Sequence, residues 1–245
     1  MLIGSADPRI LAARAARLEG FDTEPLKLPC VETLQIACEF ASAGMEALLP
    51  PALHPTLPPV VGWLVQRVDS SPWGGFKLAQ CRIECRSGLR PRGFLRGSAI
   101  DNPEAGAQLA ARWGYSLRAA EIRLDRSYDR IRARVSADGR AILDVELRNP
   151  VPLRGADVFY VASMNLAHTP RGLRLVQVDP DFEVERAERG HPVLHGFEAT
   201  AWDADGVHPT HPVSASFSIG GVTLPALRYV CRADVPAFEG SERVS

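Results

Sequence analysis

A mainly β (α+β) fold is what the sequence predicts: a curved antiparallel sheet or barrel with a few short helices packed outside it. Three observations carry this. Ten or more short runs of strand character follow one another, separated by turn residues. One of those turns, Asp138-Gly139, is a strong hairpin signal. Only two or three stretches have helical spacing. No internal repeat, low-complexity segment or long linker divides the chain, so a single domain over residues 1–245 is expected.

The elements follow in order. Residues 8–20 place Ile10, Leu11, Ala15 and Leu18 near one helical face, with Gly20 as the stop. Pro25 and Pro29 mark an extended approach to a strand from Val31 to Phe40. Ala43 to Leu49 reads as a short helix ended by Pro50-Pro51, and a proline-rich connection runs from His54 to Pro59. Strands are expected from Val60 to Asp69, from Phe76 to Cys85 and from Arg92 to Ile100, the first two joined by a turn over 70–75. Pro103 to Trp113 is the clearest later helix: Asp101-Asn102 supplies the turn and N-cap, and Gly114 closes it. Beyond Glu121 the pattern is β throughout: Glu121 to Tyr128, Arg130 to Ala137, Ala141 to Arg148, Val158 to Ala167, Gly172 to Asp179, Asp181 to Ala187, Phe197 to Trp202, Val213 to Ile219 and Val222 to Cys231.

Composition excludes several classes. The net charge is -1, so no basic excess points to nucleic acid or an anionic membrane surface. No apolar run approaches the ~18 residues that cross a bilayer. Met1 to Glu19 alternates alanine with arginine and has no apolar core, so no signal peptide and a cytoplasmic location are expected. The five cysteines (Cys30, Cys38, Cys81, Cys85, Cys231) include no CxxC pair and are read as reduced, buried thiols. Among 28 basic residues only Lys27 and Lys77 are lysines, which limits amine chemistry to two candidates.

Other motifs are weak. His191, His195, His208 and His211 cluster late, with Asp203 and Asp205 nearby, but in turn-like sequence without a zinc-site spacing; no metal or cofactor is expected. Ser163, Ser214 and Ser216 lack a GxSxG context, and the Gly-Gly pairs are turns rather than phosphate loops.

Three stretches resemble the acetoacetate decarboxylase superfamily. They are Glu32 to Leu53 (ETLQIACEFASAGMEALLPPAL), Gly74 to Leu78 (GGFKL, similar to the family's GPYxE) and Gly93 to Ile122 (GFLRGSAIDNPEAGAQLAARWGYSLRAAEI). The last is the most specific, with a strand ending in DN, the helix that follows, and a counterpart of the family's GRExWGxPKK. The resemblance covers roughly the first half of the chain. It implies a closed, strongly curved β structure around an apolar cavity, assembly into homo-oligomers, and Schiff-base chemistry on a lysine kept neutral by its surroundings.

The departures concern that chemistry. Reading WGxPKK onto Trp113-Gly114-Tyr115-Ser116-Leu117-Arg118 puts Leu117 at the nucleophilic lysine and Arg118 at the lysine that lowers its pKa. The glutamate of GPYxE becomes Leu78, the arginine–glutamate pair becomes Ala110 and Ala111, and the family's arginine near the first strand falls close to Val31. Leucine carries no nucleophile, so the Schiff base cannot form at position 117.

The candidate site follows from strand alternation. If Leu78 faces the cavity, Phe76, Gln80 and Arg82 face it too, and Lys77, Ala79, Cys81 and Ile83 face away. Gln80 and Arg118 are the candidate catalytic residues. Trp73, Phe76, Leu78, Arg82, Trp113, Tyr115 and Leu117 are the candidate pocket. Arg118 suits bidentate binding of a carboxylate or, equally, an ion pair with Glu121. Arg82 suits the cavity wall or solvent at the strand end. A pocket that has lost its charges should prefer a bulkier, more apolar partner than acetoacetate. The readings are an isomerase, dehydratase, cyclase or other lyase acting on such a carbonyl- or carboxylate-bearing molecule, with secondary metabolism as one setting; a non-catalytic small-ligand-binding protein; and a decarboxylase using Lys77.

Overall fold

The computed structural model describes residues 2–244; Met1 and Ser245, part of the expected 1–245 domain, lie outside the described residues. Helix α1 (Pro8–Leu11) and strand β1 (Ala16–Arg17) lead into the long strand β2 (Leu26–Phe40). Strands β3 (His54–Pro55), β4 (Val60–Val68), β5 (Phe76–Ser87) and β6 (Arg90–Ile100) follow. Helix α2 (Pro103–Trp113) separates them from β7 (Leu117–Ala119), β8 (Glu121–Arg126), β9 (Arg130–Ala137) and β10 (Arg140–Leu153). Then come β11 (Ser163–Thr169), β12 (Gly172–Val178), β13 (Asp181–Phe197), β14 (Pro209–Leu224) and β15 (Tyr229–Arg232), with α3 (Ala237–Gly240) and β16 (Ser241–Arg243) last.

All the strands join one sheet, ordered β16-β15-β12-β11-β6-β5-β4-β2-β14-β13-β10-β9-β8, with β1, β3 and β7 attached to β11, β5 and β6. The mainly β class is as expected, but two details differ. The sheet is mixed rather than antiparallel: β11 meets β6 in parallel, as do β1 with β11 and β7 with β6. It is also not closed by hydrogen bonds. Its β8 end packs across β4, β5 and β6 by side chains instead. The outward residues Glu121, Arg123 and Asp125 keep the β8 edge charged and in water.

This curling gives two apolar clusters. The larger holds Leu34, Ile36, Trp63, Val65, Ala79, Cys81 and Ile83 from β2, β4 and β5, packed against Ile122, Ile131, Val145 and Leu147 of the β8–β10 end. The second lies on the other face of the same strands. It holds Leu28, Val31, Val68, Phe76 and Leu78, covered by Leu109 and Trp113 of α2 and by Val222 and Leu224 of β14. Strand alternation sorts residues between them, so neighbours such as Leu78 and Ala79 serve different cores.

The helix Pro103–Trp113 forms as its sequence predicts. Asn102 accepts from the backbone N–H of Glu104 (3.0 Å) and Ala105 (3.1 Å), and Gly114 ends the helix in the left-handed region at φ 71. The predicted helix over 8–20 does not persist. Only Pro8–Leu11 is helical, Ile10 stays 75% exposed, and residues 16–18 are drawn to β11, where the Leu18 N–H donates to His168. Tertiary pairing here overrides a weak alanine-arginine propensity. The segment Ala43 to Leu49 shrinks to a 3-10 turn at Met45–Leu48. Asp181 to Ala187 is the start of a much longer strand, β13, so His191 and His195 lie in a ladder rather than a loop. Phe197 to Trp202 is mostly a 3-10 turn. Bulges near Pro150, Pro209 and Pro212 let β10 and β14 carry prolines that local reading takes as breaks. Among the described residues no His/Cys/Asp/Glu group is arranged to hold a metal, and no helix is long and apolar enough to cross a membrane. The five cysteines are unpaired; Cys30 is exposed rather than buried.

Candidate functional site

The second cluster encloses a small cavity of about 20 Å³. Its walls are Leu28, Leu64, Val68, Phe76, Leu78, Leu109, Pro180, Phe182, Val222 and Leu224, and three polar residues break them: Gln66, Arg82 and Tyr115. That space holds about one water, so its side chains must move to take a ligand, and a slender group asks less movement than a bulky one. Strand period explains the wall. On β4, Leu64, Gln66 and Val68 face it while Val61, Trp63 and Val65 face the main core; on β5, Phe76, Leu78 and Arg82 face it while Ala79, Cys81 and Ile83 do not.

Arg82 is the dominant polar group. It is only 7% exposed. One guanidinium Nη donates to the Val161 carbonyl at 3.2 Å, and the other donates to the Gln80 amide oxygen. Its Nε has no partner, and no carboxylate among the described residues lies within ion-pair distance of it. The stem fits because residue 93 is glycine: a Cβ there would stand 3.0 Å from Arg82 Cδ. Burial pulls the guanidinium below its ordinary pKa, and Tyr115 and Glu84 oppose that. An arginine so placed still carries its proton, because its intrinsic pKa is so high.

Tyr115 follows the Gly114 turn at the end of α2 and is 2% exposed. Its phenol lies near Arg82, Ser163 and Gln80; burial raises its pKa, so it is protonated at neutral pH and serves as a donor. Ser163, opposite Gly93, is a buried hydroxyl facing the Tyr115 phenol, and Ser98, opposite Gln80, is a buried hydroxyl without a partner. Gln66 donates to the Thr33 hydroxyl at 3.3 Å. The cavity wall therefore offers one buried cation, one phenol and one amide, and aliphatic and aromatic carbon elsewhere. It has no amine or thiol in its wall. Such a set can hold a carboxylate and hydrogen-bond a carbonyl or an enolate oxygen.

Behind Arg82 on the same strand, Glu84 places its carboxyl over Gly62, where a Cβ would come within 3.2 Å of Oε1. Burial pushes this carboxyl up to about 7 from 4.5, with Arg82 pulling the other way. The folded chain therefore binds more protons than the unfolded one between these values. Stability is highest below pH ~4.5, falls as pH rises towards ~7, and is flat above. The expected loss across that window is on the order of 2 kcal/mol once screening of a half-buried carboxyl is allowed for. Urea unfolding at pH 5 and pH 8 should show this loss in the wild type and its disappearance in Glu84→Gln; equal losses in both would sink it.

The other sequence-derived candidates are distributed as follows. Gln80 is 1% exposed and touches the site through Arg82. Leu117 sits opposite Ser98 and packs, half-buried, against the second cluster without reaching the cavity wall. Arg118 is on the next position, opposite Ala99, and lines a separate cleft with Arg14, Ser116 and Asp203. Glu121 pairs with Arg123 at 2.6 Å, not with Arg118. Trp113 is fully buried and donates its indole N–H to the Pro225 carbonyl at 2.8 Å; Trp73 packs half-buried beside the cluster. Lys77 lies on the other strand face, its Nζ 2.9 Å from Asp101, and Lys27 pairs on the surface with Glu183 at 3.7 Å. Gln66, Pro180 and Phe182 escaped the sequence reading, and Ser163 was weighed there only as a hydrolase nucleophile. Gln66 had a signal, as the one amide in the apolar strand VVGWLVQRV. The others are brought in from distant strands and carried none.

A family model described as acetoacetate decarboxylase matches residues 16–225. Among solved structures, acetoacetate decarboxylase from Legionella pneumophila superposes with a TM-score of 0.72 at 21% identity, over 86% of this chain and 88% of that one. An acetoacetate decarboxylase-like enzyme from Sphingomonas wittichii RW1 gives 0.64 at 16% identity, over 91% and 95%. The enduracididine biosynthesis enzyme MppR, complexed with pyruvate, gives 0.66 at 15% identity, over 91% of each chain. At these identities the likeness is one of fold. No curated protein matches the chain.

Proposed function

The chain belongs to the acetoacetate decarboxylase family, and from that membership we propose that it is an enzyme working without a Schiff base on a slender carbonyl compound bearing a carboxylate. One observation carries the proposal: a buried arginine with no carboxylate partner stands beside a buried phenol on the cavity wall. A charge kept dry and unpaired is costly, and an anionic ligand removes that cost. Arg82 holds the carboxylate. Tyr115, as a proton-bearing donor, stabilises negative charge that develops on the carbonyl oxygen, and Gln80 steadies Arg82. The reaction class is proton transfer next to a carbonyl, leading to isomerisation, dehydration or another lyase outcome. The apolar wall takes the rest of the molecule. A neighbour of the same fold captured with pyruvate supports a 2-oxo acid as the first probe.

The family's lysine chemistry is absent from this proposal. Position 117 is leucine, and Lys77 is engaged by Asp101 outside the cavity. Incubation with pyruvate or acetoacetate and sodium borohydride should leave the chain mass unchanged. In deuterated water the protein should speed exchange of the pyruvate methyl protons, followed by NMR. A borohydride-trapped adduct on Lys77 would restore the decarboxylase reading. Pyruvate binding with no accelerated exchange would leave a binding protein in the same cavity.

A further inference from the structure

We infer that Phe182 sets the length of ligand the cavity accepts, with Tyr160 as the residue that holds it in place; this rests on the carboxylate reading of Arg82. Phe182 and Pro180 enter the wall from the start of β13. Phe182 lies opposite Val222 on β14, and Val222 lies opposite Leu28 on β2, so a row of three wall residues crosses three strands. Most of that wall is aliphatic and can change rotamer. The Phe182 ring cannot do so freely. Tyr160 stacks on it with ring centroids 4.0 Å apart and planes 20° apart. Tyr160 is itself tied down, its hydroxyl 2.6 Å from the Ser218 hydroxyl, and Ser218 is buried at 3% exposure.

The same segment reaches the polar end. Val161, next to Tyr160, supplies the carbonyl that Arg82 holds at 3.2 Å. One short piece of chain thus fixes both the anchor and the obstacle. A ligand whose carboxylate meets Arg82 grows its chain along the apolar wall until it meets the locked Phe182 ring. In a cavity this narrow, that ring limits chain length.

Calorimetric titration with straight-chain 2-oxo acids, from pyruvate to 2-oxooctanoate, tests the inference on wild type, Phe182→Ala, Phe182→Leu and Tyr160→Leu. Wild-type affinity should peak at a short acid and then fall. In the Phe182 variants it should keep rising, by about fourfold for each methylene newly buried. Phe182→Leu keeps most of the apolar bulk and covers the case in which Phe182→Ala fails to fold. Tyr160→Leu should shift the length preference in the same direction, which a purely structural role would not do. Unchanged preference in the folded Phe182 variants overturns the inference, as does a wild type that gains with every methylene. If the acids bind none of these proteins, the carboxylate reading fails instead. Methyl ketones of the same lengths, which need no cation, then read the limit separately, and a wild type indifferent to their length overturns it.

Discussion

Arg82→Met is expected to bind pyruvate at least ~30-fold more weakly than the wild type, because removing one partner of a buried charged hydrogen-bonding pair costs about 2–5 kcal/mol. The same variant should unfold no earlier than the wild type when no ligand is present. The two expectations have one cause. Arg82 is 7% exposed, has no carboxylate within ion-pair distance, and leaves its Nε unsatisfied. Its two bonds, to the Val161 carbonyl and the Gln80 amide, are to neutral acceptors and only partly offset the desolvation of a full charge. Methionine fills a similar volume beside Gly93 without that cost. A group that burdens the empty fold and is repaid on binding belongs to a site, whereas a structural arginine would lower stability when lost. Calorimetry with pyruvate and thermal unfolding followed by circular dichroism decide it. Unchanged affinity, or a clearly lower melting temperature with unchanged affinity, would give Arg82 a structural role.

Trp113→Ala should destabilise the fold by about 3–5 kcal/mol, a large fraction of a domain's stability. Trp113 is 0% exposed, caps the inner end of α2 and lies in the cluster that walls the cavity. Its indole N–H donates to the Pro225 carbonyl and its own carbonyl accepts from Asn165 at 2.9 Å. The Arg112 guanidinium lies 4.5 Å from its ring centroid. The residue after it, Gly114, turns the chain at φ 71 and delivers Tyr115 to the wall. Truncation therefore opens a cavity beneath the turn that positions a site residue. Trp113→Phe keeps most of the carbon and should cost only about 1–3 kcal/mol, chiefly from the stranded Pro225 carbonyl. Urea unfolding of both variants checks the order. A loss below 1 kcal/mol for Trp113→Ala would show that the ring does not support the turn.

The legible parts of the site are those built by local rules. The alternation over Phe76–Arg82 needs only the two-residue period of a strand, and the α2 boundaries need only Asn102, Pro103 and Gly114. What was not legible depends on distant partners. Arg82 read more readily as a strand-end residue in water than as part of the wall. It is buried because Gly93, one strand over, makes room and Val161 covers it. Arg118 read as the natural cation beside Leu117, yet β7 aligns it with Ala99 and turns it to another cleft. The N-terminal segment had helical spacing but found β11.

By itself the sequence determined the mainly β class, the capped helix before Tyr115, and the absence of an amine at position 117, since side-chain chemistry and short-range periodicity are properties of the chain alone. The tertiary structure alone decided that the sheet stays open and curls by packing, and that Arg82 rather than Arg118 is the cation in the cavity. It also decided that Phe182, stacked on Tyr160, joins the cavity wall. The physical reason is that the cavity gathers side chains from β2, β4, β5, α2, β13 and β14, so its content is set by which strands pair and in what register.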